Sequence, residues 1–292
     1  MIEHREPACR FRPRIPSRGR SALCLALALA SLVPAVHAQV GLVGYWDPIF
    51  DEDVDERIPG PPIGDFLGLP INAAARMRAL TWDASLLSVP EHQCKPHPST
   101  YGFRGVGNLR IWETYDPETE QVVALHTHIR WQEQERTIWM DGREHPPEYA
   151  RHTWQGFSTG HWEGDALVVY TTHLKAGWIR RNGLAISDRA TLTEKFFRYG
   201  DIMTHIMMVE DPVYLTEPLV KSNGFRLSDT LAMEPYPCDP VVEVDHPPGY
   251  VPHYLPGQNP NATEFAEHYG LPLSLTLGGA ETALPEAVEG LE

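Results

Sequence analysis

Between Leu109 and Leu227 apolar and polar residues alternate in short runs, the period of β-strands with one face buried. The runs are LRIWETY (109–115), QVVALHTHIRW (121–131), RTIWM (136–140), DALVVYTTH (165–173), RATLTEKFFR (189–198), DIMTHIMMVE (201–210) and PLVKSNGFRL (218–227). Asp116-Pro117, Asp141-Gly142, Gly164-Asp165 and Gly200-Asp201 separate them with turn chemistry, Asp141-Gly142 reading as a tight hairpin. Strands at this spacing without intervening helices predict a mostly-β fold, an antiparallel meander closed into one barrel over 101–230.

Outside that region the pattern weakens. Residues 39–100 form a proline-rich arm with one short strand around Gly44-Tyr45-Trp46 and one helix, NAAARMRAL, for which Asn72 is the N-cap. Residues 231–270 predict a wrapping segment that ends in a short helix, Asn261 to Tyr269, with a capping-box spacing from Asn261 to Glu264 and a stop at Gly270. From Leu271 to Glu292 the chain is small, acidic and aperiodic, which predicts a disordered tail. Residues 1–38 read as a secretory leader, with six arginines, an apolar run from Ala22 to Val33 and Val36-His37-Ala38 at its end. That run is shorter than the roughly 20 apolar residues that span a bilayer, so no membrane insertion is expected.

Charge narrows the partners. The chain has 24 Lys and Arg against 39 Asp and Glu; without the leader's six Arg and two Glu, 18 face 37, a formal charge of −19. Such a surface repels nucleic acid and anionic membranes. Past the leader only Cys94 and Cys238 remain, and an oxidising compartment, periplasmic or secreted, predicts that they form a disulfide.

Gly156-Phe157-Ser158-Thr159-Gly160 fits the G-x-S-x-G of a nucleophile elbow, which requires a strand that turns into a helix. Here Glu163-Gly164-Asp165 and a β-branched run follow, so strand, turn, strand is the reading and Ser158 is not taken as a nucleophile. Asp51, Asp53 and Asp55 alternate as in half a calcium loop, but Glu56 and Pro62 stand where that loop needs Gly and Glu, which favours a solvated acidic arm.

ALHTHIRW carries the densest chemistry. Period-2 geometry puts His126, His128 and Arg130 on one face and Leu125, Thr127 and Ile129 on the other. The histidine face serves a small-molecule pocket, an anion site with Arg130, a metal shared by His126 and His128 with His173, Glu194 or His205, or solvent. His145 and Arg143, fixed by Pro146-Pro147, are placed at a barrel rim. Glu194, between Leu192 and Phe196, is the carboxylate whose burial would raise its pKa, with an ion pair to Arg198 or Lys195 as the plainer role. His173 and Trp178 complete the ligand-binding set, and Lys175, Arg180 and Arg181 make a cationic patch around Trp178.

WMDGREHP, GFSTGHWEGDALVV and EDPVYLTEP resemble the signatures of a large, functionally uncharacterised family of secreted bacterial β-rich proteins. The resemblance covers most of Leu109 to Leu227 and implies an antiparallel β-rich fold, with no activity to carry over. Where that family has His-Ser this chain has Ile186-Ser187, so no role of that histidine transfers. Gly44-Tyr45-Trp46 also resembles the G-x-W of lipocalin-type barrels, whose Trp plugs one end, and this makes the expected barrel lipocalin-like. The leading functional reading is an exported barrel that binds a small hydrophobic or aromatic molecule. The alternatives are a cofactor-independent isomerase, lyase or hydrolase using His128, His145 and Glu194 in acid–base catalysis, and a His-x-His metal protein. No phosphate loop or dinucleotide fingerprint is present, so no cofactor is expected.

Overall fold

The computed structural model describes residues 41–49, 54–57, 60–105, 107–230 and 232–289; the stretch 1–38 that reads as a leader, Asp51 and Asp53 lie outside them. Eleven strands run along these residues: β1 (Gly44–Ile49), β2 (Leu109–Tyr115), β3 (Val122–Ile129), β4 (Gln134–Trp139), β5 (Phe157–Glu163), β6 (Ala166–Thr172), β7 (Gly177–Trp178), β8 (Ala185–Ile186), β9 (Thr191–Tyr199), β10 (Ile202–Glu210) and β11 (Leu219–Ser228). All but β7 and β8 close into a barrel in the order β1-β11-β10-β9-β6-β5-β4-β3-β2. The mostly-β barrel is therefore as the alternation predicts.

The strict antiparallel expectation is corrected at one seam. β4 and β5 are parallel and pair only through Ile138 with Ser158 and Trp139 with Thr159. Parallel neighbours need a connection that returns the chain to the starting end. Residues 140–156 supply it, so Asp141-Gly142 turns the chain, Gly142 at φ +73°, without making the hairpin its sequence suggests. Pro146-Pro147 then keeps the return path extended. The β5–β6 and β9–β10 turns are hairpins as predicted, with Gly164 and Gly200 at positive φ.

Along β9 the inward positions are Leu192, Glu194 and Phe196, and along β10 they are Met203, His205 and Met207. In both strands an ionisable residue separates two apolar clusters. One cluster joins Trp46, Ile111, Leu125, Ile138, Leu167, Phe196, Met203 and Phe225. The other joins Leu192, Met207, Val209 and Leu219 to Phe66, Ala75, Ala79, Ile179 and Leu184, so the arm and the 174–190 segment pack over the end where β9 begins. Each large side chain buried there contributes about 1.5–3 kcal/mol.

The helix at Ala73–Ala79 forms as expected, with the Asn72 side chain accepting from the Ala75 amide. The second helix, Glu264–Tyr269, starts three residues late because Asn261 does not cap it, and it ends at left-handed Gly270. Residues 271–289 are not the loose tail their composition predicts. Thr276 accepts from the Phe66 amide at 2.9 Å, and the Arg76 guanidinium donates to Leu277 and Gly278 carbonyls at 2.7 Å each. Leu275 and Thr276 are buried. Cys94 and Cys238 are disulfide-bonded, 144 residues apart in sequence. Among the described residues no helix is long and apolar enough to cross a membrane.

Candidate functional site

The orientation of β3 sets aside the histidine face. Leu125, Thr127 and Ile129 point into the barrel, and His126 and His128 point out. His126 sits between the Thr114 and Thr137 hydroxyls at 2.9 and 3.2 Å and stacks on Trp112, while Arg130 pairs with Glu234 at 3.2 Å. The hydrophobic members of the strand win the interior because burying them stabilises the barrel, whereas burying imidazoles without partners would cost stability. A metal shared with His205 is excluded, since His205 is inside. Among the described residues no three His, Cys, Asp or Glu side chains are grouped to hold one metal ion. A His126→Ala, His128→Ala double variant is expected to lie within about 1 kcal/mol of wild type in chemical denaturation; a larger loss would show that this face carries structure beyond its visible contacts.

Inside the barrel lies a polar belt that was only half legible. Arg136 donates from Nε to Ser158 Oγ at 2.9 Å, from Nη1 to Glu194 Oε1 at 3.0 Å, and from Nη2 to Thr171 Oγ1 at 2.7 Å and to Glu194 Oε2. Ser158 is the second residue of β5, 1% exposed and hydrogen-bonded to Arg136 and Thr171, and among the described residues no imidazole bonds it. Glu194 is corrected in both respects: its partners are Arg136 and His205, not Arg198 or Lys195. Burial alone pushes its pKa up, but the Arg136 charge and the hydrogen bonds from His205 and Arg136 outweigh burial and hold it at about 2.

The belt continues to Asn223 and Arg57. Arg57 donates to Asn223 Oδ1 at 3.4 Å, which orients the amide so that Asn223 Nδ2 donates to His205 Nδ1 at 3.0 Å. His205 then donates from Nε2 to Glu194 Oε1 at 3.0 Å, a neutral tautomer wedged between Phe103 and Phe196. The overlooked signal was Arg136 itself, two residues before buried Ile138 and therefore in phase with the interior.

His145 and His173 do meet, where β6 ends and β9 begins, and both line a cleft of about 570 Å³ there together with His152 and Arg189. His145 bonds Thr172 and Thr159 hydroxyls at 2.7 and 2.9 Å, which straps the 140–156 crossover to β6 and β5. His173, at φ +57°, bonds Thr172 Oγ1 and the Pro147 carbonyl. Arg143 pairs with Asp141 and lies 3.5 Å over the Trp139 ring. The catalytic set His128, His145 and Glu194 is thus split among an outward face, a strap and the interior, and no two share a site.

Trp178 is where the structure gathers ligand-type chemistry. A cleft of about 340 Å³ is lined by Trp82, Trp178, His92, Lys95, Arg78 and Asp83 together with Val251, Pro252 and His253 of the wrapping segment. Trp82 meets Trp178 edge to face at 5.3 Å, and His92 stacks 6.1 Å from Trp178. Trp178 Nε1 and His92 Nδ1 are buried without a hydrogen-bond partner among the described residues. Lys95 Nζ lies 5.4 Å from the Trp178 centroid and 5.0 Å from that of Trp154, and Lys175 Nζ is also 5.0 Å from Trp154. Trp154 in turn lines a second cleft, of about 500 Å³, where β4 and β5 splay above their short parallel seam.

The cationic patch read around Trp178 divides three ways. Lys175 stays on Trp154, Arg180 is buried and bonded to Asp65, and Arg181 leans over Trp131 beside Tyr101 and His97. There the Tyr101 hydroxyl, Thr100 Oγ1 and His97 Nδ1 are also buried without partners among the described residues. Burial first, then the Arg181 and Lys95 charges, push His97 down to about 3, so its ring is neutral. Trp82, His92, Lys95 and Trp154 were not legible as site residues, because only folding brings the arm onto the 174–178 segment.

No protein-family model, no curated protein and no solved structure matches this chain.

Proposed function

We propose that this is an exported barrel protein that binds a planar aromatic molecule with an acidic group in the Trp82–Trp178 cleft. The carrying observation is Lys95, whose ammonium lines the cleft 5.4 Å from the Trp178 centroid, with Lys175 outside the cleft lining on the Trp154 ring that both contact, and neither has a carboxylate partner among the described residues. Cations left unpaired in a protein of formal charge −15 supply a counter-charge for an anion, and the two tryptophans supply flat walls. The unpartnered Trp178 Nε1–H offers a donor to the same ligand. Export is supported by the leader-like pattern and the disulfide. A lipocalin-like kinship is supported by the closed barrel and by Trp46, wholly buried in the first strand, and membership of the secreted family is carried by its three motifs.

Calorimetric titration with benzoate, indole-3-carboxylate and phenyl phosphate, against the neutral amide and alcohol analogues, tests this. The anions are expected to bind at least tenfold more tightly than their neutral analogues, and Trp178→Leu or Lys175→Gln to weaken them about tenfold. Equal binding of neutral and anionic compounds, or no change in either variant, would remove the cleft as the site.

A further inference from the structure

The chain contains 20 arginines and only four lysines, Lys95, Lys175, Lys195 and Lys221. Lys195 is exposed and paired with Glu163 at 3.4 Å, and Lys221 donates to the Ile179 carbonyl at 3.0 Å. The other two are brought together on one tryptophan, although they lie 80 positions apart in sequence. Against the attraction of the ring faces for the cation, an ammonium drawn out of water near a second ammonium loses hydration and gains repulsion, and both raise the fraction present as the uncharged, nucleophilic amine. We infer that Lys95 is an amine nucleophile that condenses reversibly with an aldehyde or ketone carried by the aromatic molecule in the cleft; this rests on the binding reading above.

Three further observations bear on Lys95. Burial first, and then Lys175, lower its pKa. His92, three residues earlier in the same cleft, is lowered by burial and then by Lys95, so its imidazole is neutral and able to take a proton. Asp83 lines the cleft as well, with its carboxylate accepting from the Ser85 amide and hydroxyl, and among the described residues it forms no ion pair with Lys95. The step balances without any co-reactant. The Lys95 lone pair attacks the carbonyl carbon, and the C–N bond forms as the carbonyl π-electrons move to oxygen. One ammonium proton passes through His92 to that oxygen, and the carbinolamine loses water to leave the imine. Hydrolysis reverses each step.

Incubation of the intact, disulfide-bonded protein with 4-carboxybenzaldehyde and cyanoborohydride, followed by peptide mass spectrometry, tests the inference. The reduced adduct is expected on Lys95 at ten or more times the rate on Lys195, with a pH midpoint below that of Lys195. Lys95→Arg keeps the charge and should abolish the cleft adduct, whereas Lys195→Arg, outside the cleft, should leave both that adduct and the binding of 4-carboxybenzyl alcohol, followed by calorimetry, within threefold of wild type. Alcohol binding with labelling spread evenly over the four lysines would overturn the imine and leave the binding reading standing. Failure of both the alcohol and the aldehyde to bind would overturn the two together.

Discussion

Arg136→Ala is expected to destabilise the protein by about 3–5 kcal/mol, the cost of leaving a buried carboxylate without its cation. Glu194 is 0% exposed, and Arg136 is its only ion-pair partner apart from neutral His205 among the described residues. The same substitution strips donors from Ser158 and Thr171, which adds to the loss. Urea denaturation of Arg136→Ala, Glu194→Gln and the double variant measures it, and a coupling energy below about 1 kcal/mol would show that the belt is not the unit its geometry describes. The pH dependence has a definite sign. Glu194 titrates near 4.5 when unfolded and at about 2 when folded, so its contribution is complete above about pH 4.5 and is lost as the pH falls from there toward 2. Glu194→Gln should flatten the acid limb of the stability curve in that window, and an unchanged limb would assign acid unfolding to other carboxylates.

Removing the Cys94–Cys238 bond should have the other large effect. Its closed loop of 144 residues contains the barrel from β2 to β11, and the chain-entropy relation gives about 5 kcal/mol for a loop that size. The full amount appears only if the barrel unfolds as one unit with the wrapping segment. Residues 232–245 are largely exposed and held by few contacts, among them Gln93 with the Val241 backbone, so fraying of this segment alone would reduce the global loss. A fall of 2–5 kcal/mol in the Cys94→Ala, Cys238→Ala variant is expected by denaturation. Because Val251, Pro252 and His253 line the cleft beside Lys95, the same variant should also bind aryl anions more weakly. Undiminished stability and binding would show that the segment docks without its staple.

The sequence by itself determined the local structure. Alternation located β2, β3, β4, β6, β9, β10 and β11, the turn and strand that follow it located β5, glycine and aspartate located the β5–β6 and β9–β10 turns, and Asn72 located the first helix, because strand period, turn angles and caps depend on neighbours a few residues away. Of the four cysteines, the two beyond residue 38 form the disulfide their sequence context predicts. Tertiary structure decided the rest. Alternation divides ALHTHIRW into two faces but assigns neither to the interior; packing against Trp46, Phe103 and Phe196 gave it to Leu125, Thr127 and Ile129. The parallel β4–β5 seam was invisible because Asp-Gly specifies a turn and not where the chain goes next. The partners of Glu194 lie 58 and 11 residues away, and Lys95 meets Lys175 only once the arm folds over the barrel end, so each site is a product of long-range packing that no local pattern encodes.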